Sequence, residues 1–411
     1  GTVNYGQDSS FAGAVTAQGN QDGNDKGDFY YEPPSGFLAL CTDNLSTPEI
    51  KLPASEAFNT VLYTGNTPSS QAVTGVGFEP DFLWLKSRSA TSGNIVQDVV
   101  RGATTRLETN STGIEVTDAT YVASFDSDGF TVGTNTDTNA SGGTFVAWNW
   151  KAGGAPTADN SAGVGAVPTA GSVKIDGSNL GSALAGSIAA TRLSANTTSG
   201  FSIVKFTGNL TSGATIAHGL SEAPEFVLLK TLDIARNWID NVPGSTWSYY
   251  MHLSASDAQT SDTSLFNGTA PSASVVTLGS AASANDDEGM VAYCFHSVEG
   301  YSKVGSWVAT GSDPGPFFYC GFKPAFVMVK NISRGTSNWW IMDNKRSTYN
   351  MDAKVLFPNS NQAEASGRSE CDFLSNGVKF RGVVNPESNY STDTYLIYAV
   401  AENPFKYSNA R

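Results

Sequence analysis

The chain is 411 residues long, 40% hydrophobic and only 15% charged, with 42 glycines and a formal net charge of −14. That length exceeds what one hydrophobic core normally organises, and few charges beside abundant Gly, Ser, Thr and Asn mark an all-β chain with many turns. The acidity repels phosphate backbones, no run approaches the roughly 18 apolar residues of a membrane helix, and GTVNYGQDSS has neither half of a signal peptide; nucleic-acid binding and membrane insertion are not expected.

Residues 1–53 end in FYYEPPSGFLALCTDNL (29–45), whose aromatics and apolar run read as a docked strand at the tail end of another domain. With Gly1 in place of Met, this suggests a piece of something longer. Beyond it one phrase occurs three times: GFEPDFLWLK (77–86), GLSEAPEFVLLK (219–230) and GFKPAFVMVK (321–330). Each places a proline before a short apolar run, where its missing N–H costs no ladder bond, and ends on a lysine. Each follows a strand that runs into a glycine turn, VLYTGN (61–66), SIVKFTGN (202–209) or SWVATGS (306–312). Each precedes a closing strand of large residues, FVAWNWK (145–151), MVAYCFH (290–296) or YLIYAVA (395–401).

From the lysine to the aromatic at the centre of the closing strand, Trp148, Tyr293 or Tyr398, the spacing is 62, 63 or 68 residues. This predicts three tandem β-sandwich-like modules of jelly-roll or lectin type, at 54–153, 199–301 and 302–411. The outer two carry an Asp/Ser turn closed by Gly129 or Gly377, where a tight hairpin calls for positive φ; the middle copy has VVTLGSAAS there and departs from the pattern. Modules two and three abut at SVEGYSKVG and are expected to pack as a rigid pair. Between modules one and two, residues 154–198 form a Gly/Ala/Ser-rich connector in which VKIDG (173–177) reads as a strand and SALAGSIAATRLSA (182–195) as a short helix.

Residues with chemical potential are few. His218, His252 and His296 all lie in the middle module without a nucleophile elbow or a ligand spacing, so no catalytic residue, metal site or cofactor is expected. Asp126 with Asp128, and Asp286, Asp287 and Glu288, are the candidates for a carboxylate pair of the glycosidase kind; solvated turn residues are the plainer reading, with a weak calcium site next. Asp98-x-x-Arg101 returns as Asp343-x-x-Arg346, while Asp240 of the middle copy has no arginine after it; recurrence in register reads as a structural ion pair. Trp238, Trp247, Tyr249, Tyr250, Trp339 and Trp340 cluster in predicted loops and could stack on sugar rings, although filling sandwich cores or subunit contacts is the plainer reading. Four scattered cysteines, Cys41, Cys294, Cys320 and Cys371, make no disulfide framework; Cys294 and Cys320 fall in neighbouring predicted strands and could approach each other, but free buried thiols are the plainer reading.

GFEPDFLWLKSRS, TFVAWNWKAGG, AGSIAATRLSANTTSGFSIVKFTGN, AYCFHSVEGYSKVG, FFYCGFKPAFVMVK and DFLSNGVKFR resemble a family of tailed-bacteriophage virion proteins, common in marine phages, from about residue 30 onwards. In that family such repeats often follow a SPRY-type, concanavalin-like domain, of which residues 1–45 would be the remnant. The resemblance implies a virion protein on the tail or particle surface, described as a tail fibre or receptor-binding adhesin. It would be a homo-oligomer, with a trimer favoured, contacting other virion tail proteins and host cell-surface polysaccharide. No catalytic residues carry over, so the chain is expected not to be an enzyme. A capsid or tail decoration protein without host contact is the alternative, and a glycan depolymerase the third.

Overall fold

The computed structural model describes residues 3–44, 56–350, 354–368, 370–381, 387–390 and 392–402. The chain divides into two compact units, Gly1–Lys51 and Leu52–Arg411. Among its described residues the small unit holds a single β-bridge, Asn20 to Phe29, and a 3-10 turn at Thr42–Asn44. The strand expected within 29–45 is therefore absent among its described residues. Asp22 organises this unit in place of a sheet, its carboxylate accepting from the amides of Ala39 (2.7 Å), Asn24 (2.8 Å) and Lys26 (3.1 Å).

In the large unit the same three-strand core recurs. Its first strand is Phe58–Thr64, Phe201–Thr207 or Ser302–Val308, and each pairs antiparallel with a closing strand along seven residues. On its other side each closing strand takes the lysine-ended strand, Phe82–Ser87, Phe226–Thr231 or Pro324–Asn331. The registers coincide: Phe82 faces Trp150, Phe226 faces Phe295 and Phe326 faces Val400. Among the described residues each main sheet is covered by a smaller one, three-stranded in the outer repeats and two-stranded in the middle one, where VVTL (275–278) pairs only with Ala214–Ala217. Gly129 does take a positive φ of 151°, but Gly377 does not. Both are required because a neighbouring strand passes close: a Cβ would lie 2.0 Å from the Val73 carbonyl oxygen or 2.2 Å from that of Phe318.

The lysine-ended strands are buried along their whole length, so both faces must find apolar partners. One face, with Leu83 and Leu85, Val227 and Leu229, or Val327 and Val329, fills the core of its own sandwich. The other face meets the other repeats. Phe82 packs on Phe201 and Tyr293 (ring centroids 5.7 and 4.9 Å), Trp148 and Trp150 on Phe326 (6.0 and 5.4 Å), and Phe295 on Tyr398 (4.9 Å). The repeats are thus fused through a shared aromatic centre and do not form three separate domains. The pair expected from modules two and three is part of this three-way packing.

The connector is built into the sheet of the middle repeat. Val173–Ile175 is a strand, as read, but the stretch expected to be helical contains the strand Ala190–Asn196, antiparallel to Phe201–Thr207. Ile188, Ala190, Leu193 and Ala195 point into the core of the middle sandwich, and an open sheet edge outweighs the helix propensity of alanines.

Candidate ligand cleft and the joints between repeats

The three phrase-ending lysines are wholly buried at the boundaries between repeats. Lys86 donates to the carbonyls of Ser92 (2.5 Å) and of Asn361 in the third repeat (3.0 Å). Lys230 donates to Thr231 (2.8 Å) and to Thr112 in the first (3.4 Å), and Lys330 to Ser337 (2.8 Å) and to Ser256 in the second (3.1 Å). The contacts run cyclically, so the ring closes. Two residues past each lysine a carbonyl accepts a backbone amide from the same neighbour: Arg88 from Glu364 (2.9 Å), Leu232 from Glu115 (2.8 Å), Ile332 from Gln259 (3.0 Å). Burial presses each ammonium down to about 8.

Asp98 and Arg101 form a fully buried pair at 2.7 Å, as do Asp343 and Arg346 at 2.5 Å. Each carboxylate also joins two repeats, Asp98 accepting the Tyr293 hydroxyl (2.7 Å) and Asp343 the Trp148 indole (3.0 Å). A second acid backs each arginine, Glu115 at 3.7 Å and Glu364 at 3.2 Å. In the middle repeat the register places Val242 where Asp98 and Asp343 stand. Asp240 matches Val96 and Ile341 and is no counterpart of the paired aspartates. Gln259 replaces the second acid, so the whole charged constellation is lost together. Asp240 is buried, and burial carries its carboxyl well above the usual range, with Lys330 as the opposing charge and the Leu253 amide working the same way as Lys330.

The aromatic set divides. Trp238, Trp339 and Trp340 are buried and cannot offer a face to a sugar. Trp238 and Trp339 stand opposite the lysines, where the first repeat has Asn94, and donate to the carbonyls of Glu108 (2.9 Å) and His252 (3.1 Å) in the neighbouring repeat. Asn94 does the same to Ser360 (2.8 Å). Trp340 faces the third sandwich core. Trp247, Tyr249 and Tyr250 are half-buried; Trp247 packs edge-on against Phe266 (5.4 Å).

The other candidates are distributed among structural tasks. Asp126 accepts from Ser124 and Thr131, Asp128 from the amides of Gly75 and Gly77, and Asp286 pairs with Arg236 (3.1 Å), while Asp287 and Glu288 are exposed. His218 is buried, accepts the Leu220 amide at Nδ1 (3.1 Å), and is pressed by burial down to about 4. His252 contacts Asp257 (2.8 Å) and His296 the Ser297 carbonyl (2.9 Å). Among the described residues no three His, Cys, Asp or Glu gather as metal ligands. Cys294 and Cys320 are both free. Three buried asparagines, unremarked in the sequence, lock the glycine turns: Asn139, Asn285 and Asn389 accept the amides of Asn66 (2.8 Å), Asn209 (2.9 Å) and Thr310 (3.1 Å). They follow the lysines by 53, 55 and 59 residues, a spacing that could have found them.

The concave feature nearest the half-buried aromatics is a cleft of about 320 Å³ between repeats two and three, lined by Glu225, Val242 to Ser245, Trp247 and Val304 to Ser306. A second cleft of about 260 Å³, lined by Phe58 to Thr60, Asn344, Lys345 and Glu402, lies between repeats three and one. A family described as "Domain of unknown function (DUF7483)" matches residues 53–404, the span of the fused repeats. The chain belongs to this family. DUF7483 therefore takes in all three repeats together with the connector. No curated protein and no solved structure matches the chain.

Proposed function

We propose that this DUF7483 protein is a structural component of a tailed-phage particle surface, of tail-fibre type, that acts by binding and not by catalysis. The observation that carries this reading is where its reactive side chains are spent. The lysines, both Asp–Arg pairs and two of the tryptophans are buried in joints that weld three repeats into one body. Immunogold labelling or cryo-electron microscopy of the phage that encodes it tests the proposal. Density at the tail supports it; a lattice on the head makes it a decoration protein, and absence from the particle overturns the reading.

Contact with host polysaccharide would have to rest on Trp247, Tyr249 and Tyr250. Alanine at these three positions, in a variant that still folds, should lower adsorption to host cells if the protein is the receptor-binding element. A depolymerase would release new reducing ends from host capsule, and none is the expected outcome. Closure of three repeats within one chain supports a monomeric body in place of the homotrimer implied by other fibres. Light scattering reads the difference directly, since a trimer has three times the mass.

A further inference from the structure

The three boundaries between repeats share one geometry, and at the first of them the outer edge of the first strand is filled. There Ala190–Asn196 runs along the edge of Phe201–Thr207, with Arg192 facing Lys205 and Ser194 facing Ile203. It is held from the other side by the first repeat's end: the Ser194 hydroxyl accepts the Gly153 amide (2.9 Å) and donates to the Gly154 carbonyl (2.8 Å), and Arg192 reaches the Val100 carbonyl (3.5 Å). Farther along, Gly186 and Ile188 bridge to Ile216, on the edge of the smaller sheet. One extended segment thus seals the open side of the middle sandwich.

At the second boundary the matching first strand, Ser302–Val308, is the edge of its sheet, and the 320 Å³ cleft lies against it. The direction of its free amides can be read from two bonds. Ser302 donates to the Val298 carbonyl (2.9 Å) and Val304 to the Ser297 hydroxyl (3.0 Å), both away from the closing strand. The amides of Ser306 and Val308 therefore point outwards too, and among the described residues they have no acceptor. By register Ser306 corresponds to Lys205, the residue that faces Arg192 in the filled boundary. The smaller sheet repeats the pattern: Phe317–Tyr319 is an edge strand, and Val308, Phe317 and Tyr319 are 60%, 41% and 63% exposed.

We propose that this cleft captures an extended polypeptide strand by edge addition to Ser302–Val308, as Ala190–Asn196 is added to the middle repeat. Strand addition takes its affinity from main-chain bonds and its selectivity from alternate side chains. The cleft wall is close, since a Cβ on Gly244 would lie 2.6 Å from the Ser306 hydroxyl, so the occupant carries small residues. Residues 199–301 hold ten acidic and three basic side chains, a net −7, and exposed Glu225 lines the cleft. A strand bearing arginine or lysine is therefore favoured. The occupant is a Gly/Ala/Ser-rich basic segment of a partner polypeptide.

The probe is a labelled synthetic peptide of this chain's own residues 184–198, titrated against the full chain by fluorescence anisotropy. Saturable binding is expected. Ser306→Ala keeps the amide and should bind within about twofold of the wild type, whereas Ser306→Pro removes it and should weaken binding at least tenfold. Proline there leaves the ladder to the closing strand intact, because that amide faces outwards. A peptide with glutamate in place of Arg192 should also bind more weakly. Hydrogen exchange on the unmutated protein gives a second readout: the Ser306 and Val308 amides should slow on adding the peptide. No saturable binding, equal binding by Ser306→Pro, or unchanged exchange at both amides overturns the proposal, as does protection of those amides by host oligosaccharide instead. None of these outcomes bears on where the protein sits in the particle.

Discussion

Lys86, Lys230 and Lys330 hold the ring together while burial works against their charge, and that tension has a measurable sign. With its pKa down at about 8 in the folded protein and near 10.4 when unfolded, Lys86 has released its proton in the fold over a range where the unfolded chain still holds it. Stability contributed by this group therefore rises with pH between about 8 and about 10.4. The difference in unfolding free energy between the wild type and Lys86→Met should shift towards the wild type across that range and stay flat from pH 6 to 7. At the Asp98 joint the expectation differs. Arg101→Met leaves a carboxylate with no exposure and no countercharge of its own repeat, and should cost about 3–5 kcal/mol in urea unfolding. Asp98→Val together with Arg101→Met should cost much less, because the middle repeat already places Val242 at that register without an arginine.

The elements that repeat were legible in the sequence because strand physics wrote them three times: proline, apolar run, lysine, and a closing strand at near-constant spacing. What period-two patterning does not say is which of two apolar faces meets which partner. Phe82, Trp84 and Lys86 share a face with Trp148 and Trp150, and nothing local tells that this face looks towards other repeats. For the same reason Trp238 and Trp339, each lying just before a short strand, read as loop aromatics and are in fact joints. The connector's alanines favour a helix in isolation, and only a sheet edge some residues ahead reveals it as a strand. Its contribution can be measured. Leu193 is fully buried in the middle core, so Leu193→Ala should cost about 2–5 kcal/mol, while Thr191→Ala on the half-exposed side should cost under about 1 kcal/mol.

At the scale of the molecule, tandem repeats usually contact only their neighbours in line and can unfold piecemeal. Here the third repeat returns to the first through Lys86 and Asn361, Arg88 and Glu364 at 2.9 Å, and Trp148 and Asp343. No repeat can leave without opening two boundaries and exposing the shared aromatics, so intermediates with one repeat unfolded are costly. Residues 52–411 should accordingly unfold in one calorimetric transition, with calorimetric and van't Hoff enthalpies agreeing, although chains this long commonly show several steps. Any second, smaller transition belongs to residues 1–51 and should vanish when they are removed. Replacing Trp148 by alanine should lower the midpoint of the main transition without splitting it, since the indole reaches Asp343 and Phe326 across the ring. Three resolved transitions, one for each repeat, would mean that the ring is an assembly of independent sandwiches, and the joints would then be contacts of convenience and not the source of the body's rigidity.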